Sequence, residues 1–162
     1  MAAITIAVVN GACAGAGFGW ACACDLRVAT RSAKFNSAFL DVGVAGDMAL
    51  PWSLPRLVGA AKARELVLIP DKFDADEAQR IGLVARVRRR FVRDRECLVR
   101  RSAASPPALR TMKQNFLDPE HLGLSDFAEV EAQRHLQLFT LSDMREAFVA
   151  KVEKCVPRFI GT

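Results

Sequence analysis

The run Ile4-Thr5-Ile6-Ala7-Val8-Val9-Asn10-Gly11-Ala12-Cys13-Ala14-Gly15-Ala16-Gly17-Phe18-Gly19 decides how this chain is read. Residues 4–9 form a short, β-branched apolar stretch closed by Asn10-Gly11, the pattern of a strand buried on both faces. Residues 11–19 are rich in Gly and Ala, and a helix follows to about Cys24. A strand, a Gly-rich turn and a helix N-terminus make an anion site, because small residues let a ligand approach free backbone N–H groups. The same letters also serve close helix–strand packing, and both readings stay open. Nucleotide motifs fail here. A Gly-x-Gly-x-x-Gly fingerprint needs glycine at Trp20, and there is neither a Gly-Lys-Ser/Thr loop nor a Gly-x-Ser-x-Gly elbow.

Outward from this run, residues 26–30 read as a strand and 34–36 as a brief extended piece. A helical turn is expected near 38–42, and a loop with helical pieces over 43–55, where glycines and prolines interrupt the pattern. Residues 60–68 are strong helix formers. Asp74-x-x-Glu77 resembles a capping box, Gly82 suits the end of that helix, and 83–87 reads as a strand. Beyond this the pattern is all helix, over 94–104, 106–116, 125–138 and 143–156, with Ser105 and Ser142 as expected caps. The expected boundary lies near 88–90, giving an α/β part over 1–90 and a helical part over 91–162. A strand buried on both faces needs neighbours, and here it opens the chain. Either subunits complete its core or a preceding segment is missing.

The 162 residues suit one domain, or two small ones. No apolar run reaches the ~18 residues of a membrane span, and no basic flank marks the N-terminus as a signal peptide, so a cytoplasmic protein is expected. The five cysteines are odd in number and form no Cys-x-x-Cys pair; with only two histidines, neither a disulfide framework nor a zinc site is expected. The net charge of +5 is concentrated. Eight arginines stand at 86, 88, 89, 90, 93, 95, 100 and 101, against Asp94 and Glu96. That stretch can meet a phosphate or serve as a solvated helix face. Phe91 is its only aromatic, so nucleic-acid binding is not expected.

One carboxylate stands out. Asp47, in Gly43-Val44-Ala45-Gly46-Asp47-Met48-Ala49-Leu50, sits among apolar residues and glycines. Burial there would raise its pKa and suit it to acid/base work; the alternative is a helix N-cap.

Several linked motifs then resemble one family. They are Ala7-Val8-Val9-Asn10-Gly11, Ala14-Gly15-Ala16-Gly17, Cys24-Asp25-Leu26-Arg27, Ala33-Lys34-Phe35 and Leu40-Asp41-Val42-Gly43, followed by Leu54-Pro55-Arg56-Leu57-Val58-Gly59 and Ala75-x-x-Ala78-x-x-Ile81-Gly82-Leu83-Val84. Glu146-Ala147-Phe148-x-x-Lys151 and Pro157-Arg158-Phe159 extend the likeness, more loosely, to the C-terminus. In this order they resemble the crotonase (enoyl-CoA hydratase/isomerase) superfamily, without the segment that family carries before the strand at Ile4.

The resemblance implies an α/β fold of the crotonase-like ββα type, truncated, with an all-helical C-terminal oligomerisation subdomain. It implies an acyl-CoA thioester as substrate, coenzyme A being part of that substrate and no other cofactor being needed. An enolate would be held by backbone N–H groups, one of them at Ala16. Two glutamates of typical hydratases match Gly19 and Phe39, which cannot transfer a proton. Some isomerase-type relatives use an aspartate where Asp47 stands, so the resemblance favours double-bond isomerisation over hydration. Gly15, Gly17, Gly19, Phe39, Met48 and Trp52 are the expected substrate contacts, Leu50 a further candidate for an acyl pocket, and large apolar residues serve equally as core. Phe148 and Lys151 match positions that contact CoA from a neighbouring subunit, and a trimer or hexamer is expected. The alternative is a non-catalytic acyl-CoA-binding or protein-interaction remnant of the fold.

Overall fold

The computed structural model describes residues 3–89 and 104–162. The chain divides into two compact units, Ile4–Arg95 and Glu96–Thr162 with Met1–Ala3. The helix expected over 94–104 and most of the arginine stretch lie outside the described residues.

The first unit holds two three-stranded sheets. In one, β1 (Ile6–Val9) pairs parallel with β3 (Leu26–Thr30), which pairs parallel with β6 (Arg86–Arg88). In the other, β2 (Ala12–Ala14) pairs parallel with β4 (Lys34–Asn36), which pairs antiparallel with β5 (Phe73–Asp74). Helices α1 (Ala16–Ala23) and α4 (Ala75–Arg80) pack with these strands, α2 (Leu50–Val58) packs on α1, and α3 (Ala60–Leu68) packs on α2. Phe18, Phe35, Leu50, Leu54 and Leu83 are fully buried at its centre, each contributing about 1.5–3 kcal/mol of transfer free energy. The rings of Phe18, Phe35 and Phe73 meet at centroid distances of 5.4–6.1 Å, tying α1 to β4 and β5. Arg27 is buried on β3. Its guanidinium donates to Leu83 O (2.7 Å) and to Cys24 O (2.6 Å), so the cation closes the C-terminal end of α1.

Several local expectations change. β2 lies inside the Gly-rich turn, because Ala12–Ala14 finds a partner in Lys34–Asn36, a pairing that only tertiary structure supplies. β1 was expected to be buried on both faces, yet Val8 is 52% exposed: β1 ends its sheet, and its second edge has no strand among the described residues. Of the loop with helical pieces expected over 43–55, the last part is a full helix: α2 runs from Leu50 to Val58 through Pro55, whose missing N–H costs about 3 kcal/mol that burial of Leu50 and Leu54 offsets. The strand expected over 83–87 shrinks to Arg86–Arg88, with Leu83 and Val84 buried in the connection before it. The Asp74 cap is present: its Oδ1 accepts from Glu77 N at 2.9 Å.

The second unit comprises α5 (Pro106–Leu117), a 3₁₀ turn at Asp118–Glu120, α6 (Leu124–Phe139) and α7 (Ser142–Glu153). Arg134 of α6 reaches Asn115 of α5 (2.9 Å) and also Asp118. Ser105 stands at the N-cap of α5 as expected, its carbonyl accepting from Leu109 N (2.9 Å), but its side chain makes no capping bond, and Ser142 is not the cap of α7. Ser105 instead hydrogen-bonds Asp143, and Ser142 is itself the first residue of α7, its hydroxyl directed to Thr162. Buried Asp143 accepts from Ile160 N (2.8 Å) and Gly161 N, fixing the chain end on α7. Burial works against its charge, but these hydrogen bonds outweigh it and hold the carboxyl below the ordinary aspartate range.

Candidate functional site

The site begins with how α1 starts. Gly15 precedes it at φ 53°, ψ −126°, a backbone conformation that L-residues rarely adopt. Its N–H donates to Asn36 O (3.2 Å), and the Asn36 side chain accepts from Ala38 N (2.8 Å). The backbone of Asn36 thus holds the turn before α1 while its side chain closes the 36–38 turn, a placement the sequence reading missed; an Asn closing a short strand is the signal that marks the second. The first turn of α1 has no side-chain cap and no acidic residue. Ala16, Gly17 and Phe18 therefore present N–H groups without intrahelical partners at the positive end of the helix, with Ala16 and Gly17 exposed.

The next residue of α1 meets the Asp47 loop. A Cβ placed on Gly19 would stand 2.6 Å from Met48 Cβ and 3.1 Å from Asp47 O. Gly19 thus brings the 47–48 peptide against α1, one turn from the free amides. Asp47 itself is exposed, so the burial imagined for it is not present. It is not a helix N-cap either, that place belonging to Ala49. Its Oδ1 accepts from Met48 N (2.7 Å) and its carbonyl from Leu50 N (3.0 Å). Met48 and Ala49 both lie in the left-handed region, at φ 51° and 52°, a cost of about 1–2 kcal/mol for each L-residue. Strained residues of this kind cluster where a structure holds a functional group in place.

The other expected contacts separate. Phe39 is 7% exposed and belongs to the core. Trp52 is half exposed on α2, with the Arg56 guanidinium stacked 3.8 Å from its ring centroid. Leu50 is fully buried as core. Phe148 and Lys151 are exposed on α7, in the second unit. A groove of about 350 Å³ runs along β1 and the opposite face of α1, lined by Val8, Asn10, Gly11, Gly17 and Trp20 among others. Gly17 joins this groove to the first turn of α1. Burial pushes the Cys13 thiol up to about 11 and that of Cys22 to about 12, the latter partly opposed by Arg27, so both stay protonated and are poor nucleophiles at neutral pH. Among the described residues no cluster of His, Cys, Asp and Glu can hold a metal ion, and no helix is long and apolar enough to cross a membrane.

The strand, the glycine turn and the bare N-terminus of α1 thus stand in one unit with the Asp47 loop that packs on Gly19. A family model described as enoyl-CoA hydratase/isomerase matches residues 1–162. The chain belongs to the enoyl-CoA hydratase/isomerase family. A probable enoyl-CoA hydratase from Rhodobacter capsulatus is 36% identical over 163 residues, covering 96% of this chain and 62% of that protein. The 4-chlorobenzoyl coenzyme A dehalogenase-1 of an Arthrobacter species is 42% identical over 83 residues, which is 51% of this chain and 30% of that protein. The crystal structure of an enoyl-CoA hydratase/isomerase from Cupriavidus metallidurans superimposes with a TM-score of 0.86 at 30% identity, over 99% of this chain and 62% of that one. The fold is therefore the crotonase fold of this superfamily, and the chain spans less than two thirds of the length of these relatives.

Proposed function

We propose that this enoyl-CoA hydratase/isomerase family member acts on an acyl-CoA thioester and moves its double bond, with Asp47 as the proton carrier. The observation that supports this most is the Gly19 contact, which brings the peptide carrying a single carboxylate against α1, near its unpartnered N–H groups. The Asp47 carboxylate takes a proton from the α-carbon of a β,γ-enoyl thioester. The negative charge moves to the thioester oxygen, where the Ala16 N–H and the helix end stabilise it; one preorganised donor of this kind is worth ~3–4 kcal/mol. The carboxylic acid so formed returns the proton to the γ-carbon, leaving an α,β-enoyl thioester. Water need not be added, which suits a site with glycine at 19 and a core phenylalanine at 39.

Coenzyme A enters as part of the substrate, and no other cofactor is needed for this chemistry. The exposed Phe148 and Lys151 are proposed to meet the CoA of a neighbouring copy, lysine suiting phosphate as a point charge. A homo-oligomer, trimeric or hexameric, is proposed with them. The test is Asp47→Asn, expected to lower isomerisation of a β,γ-enoyl-CoA by about 10²–10⁴-fold while leaving thermal stability unchanged. Full activity in that variant would remove Asp47 from the mechanism.

The exposure of Asp47 favours a second reading, a protein that binds acyl-CoA without turning it over. Saturable binding of crotonyl-CoA that free CoA does not reproduce, with no conversion of α,β- or β,γ-enoyl-CoA, would select it.

A further inference from the structure

We propose that Gly19 is the positioning residue for the Asp47 carboxylate: its bare Cα is the seat on which the Asp47–Met48 peptide rests. This deepens the reading of Asp47 as proton carrier and, for its effect on turnover, rests on it. Among glycines 11, 15, 17 and 19, only Gly19 is denied a side chain by close contact. A Cβ at Gly11 or Gly17 would meet nothing within 4 Å, and one at Gly15 only Ser37 O at 4.0 Å. At Gly19 the obstacles are Met48 Cβ at 2.6 Å and Asp47 O at 3.1 Å. Neither is the free end of a flexible side chain, so any residue larger than glycine displaces the backbone of 47–48.

The carboxylate moves with that backbone, because Asp47 Oδ1 is bonded to Met48 N at 2.7 Å. The segment also has somewhere to go. Met48 and Ala49 both hold left-handed conformations, and a pushed segment can leave them for ordinary ones. Fully buried Leu50 anchors its far end, leaving Gly19 to define the near end. Position 19 is therefore more than the place of an absent glutamate: the room its side chain would need holds the peptide that carries Asp47.

The experiment compares the full chain with Gly19→Ala, Met48→Gly and the double variant. Glycine at 48 accepts the left-handed backbone and removes the Cβ that a new side chain at 19 would strike. Two readouts are taken: kcat and KM on a β,γ-enoyl-CoA, and the ¹³C carboxyl resonance of Asp47, assigned with Asp47→Asn. Gly19→Ala is expected to lower kcat at least about tenfold with KM within about twofold, and to shift the Asp47 resonance. The double variant is expected to come close to Met48→Gly in both, because the remaining contact with Asp47 O at 3.1 Å is relieved by a shift of a few tenths of an ångström once the Met48 Cβ is gone. A folded Gly19→Ala with unchanged kcat and resonance overturns the proposal. Should Gly19→Ala not fold, the double variant decides: the Asp47 resonance of Met48→Gly supports the seat, and a different resonance or another unfolded chain overturns it. If the parent protein shows no turnover, the proton-carrier reading fails by itself, and the resonances still decide whether Gly19 seats the loop.

Discussion

The two units of this chain bury their apolar side chains to opposite degrees. In the α/β unit Phe18, Phe35, Leu50, Leu54 and Leu83 are shut away from water. In the helical unit, of the described residues, only Ser105, Asp143 and Ala150 are buried, while Phe116, Leu124, Leu136, Phe139, Phe148 and Val152 are exposed. One unit is held by its own core. The other is tied by polar contacts, the Arg134 bridge and the Asp143 clamp, and its helices offer apolar faces to a surface beyond themselves. Most helical stability in proteins comes from packing an apolar face, so this contrast is the physical ground for the proposed oligomer.

The contrast can be broken first at Phe18. Phe18→Ala should destabilise the α/β unit by about 3–5 kcal/mol, read from the denaturant midpoint. A loss below about 1 kcal/mol would mean that this core is not what holds the unit. A smaller intrinsic effect is expected at Leu124, which is 84% exposed. Leu124→Gln should change the unfolding free energy of the dissociated chain by no more than about 0.5 kcal/mol, yet lower the sedimenting mass at micromolar concentration. An unchanged mass would detach the exposed helix from assembly.

The smallest effect is set by pH. The carboxyl of Asp143 is depressed in the folded state, so its contribution is complete above the unfolded aspartate value of about 3.9 and is lost as pH falls through the folded one. Protection of the Ile160 and Gly161 amides against exchange should hold from about pH 7 to about pH 5 and fall below about pH 4. Asp143→Asn should abolish that pH dependence. Protection that stays flat into strong acid would show that the clamp does not depend on the charge.

Much of the fold was legible where local chemistry and tertiary structure agree. β3 and β4 stand at the residues their composition marked, and Asp74 caps α4 as its spacing to Glu77 implied. The departures arise where a partner distant in sequence decides. Ala12–Ala14 becomes a strand because Lys34–Asn36 lies beside it, and Leu50–Val58 becomes a helix despite two prolines because Leu50 and Leu54 reach the core. Ser142 looked like a cap and is drawn instead to Thr162, twenty residues on. At the site, the linked motifs identified α1 and its glycines. The reason for Gly19 was not visible, because Met48 comes against it from 29 positions away.

The outer edge of β1 has a consequence for handling the protein. Parallel strands end there with N–H and C=O groups unpaired among the described residues, beside an exposed Val8 and Trp20. In a sample of this 162-residue chain such an edge is a template on which a strand of another molecule can grow, so loss of material on concentration should begin at this strand. A lysine in place of Val8 is the gatekeeper that would protect a stored sample without entering the core.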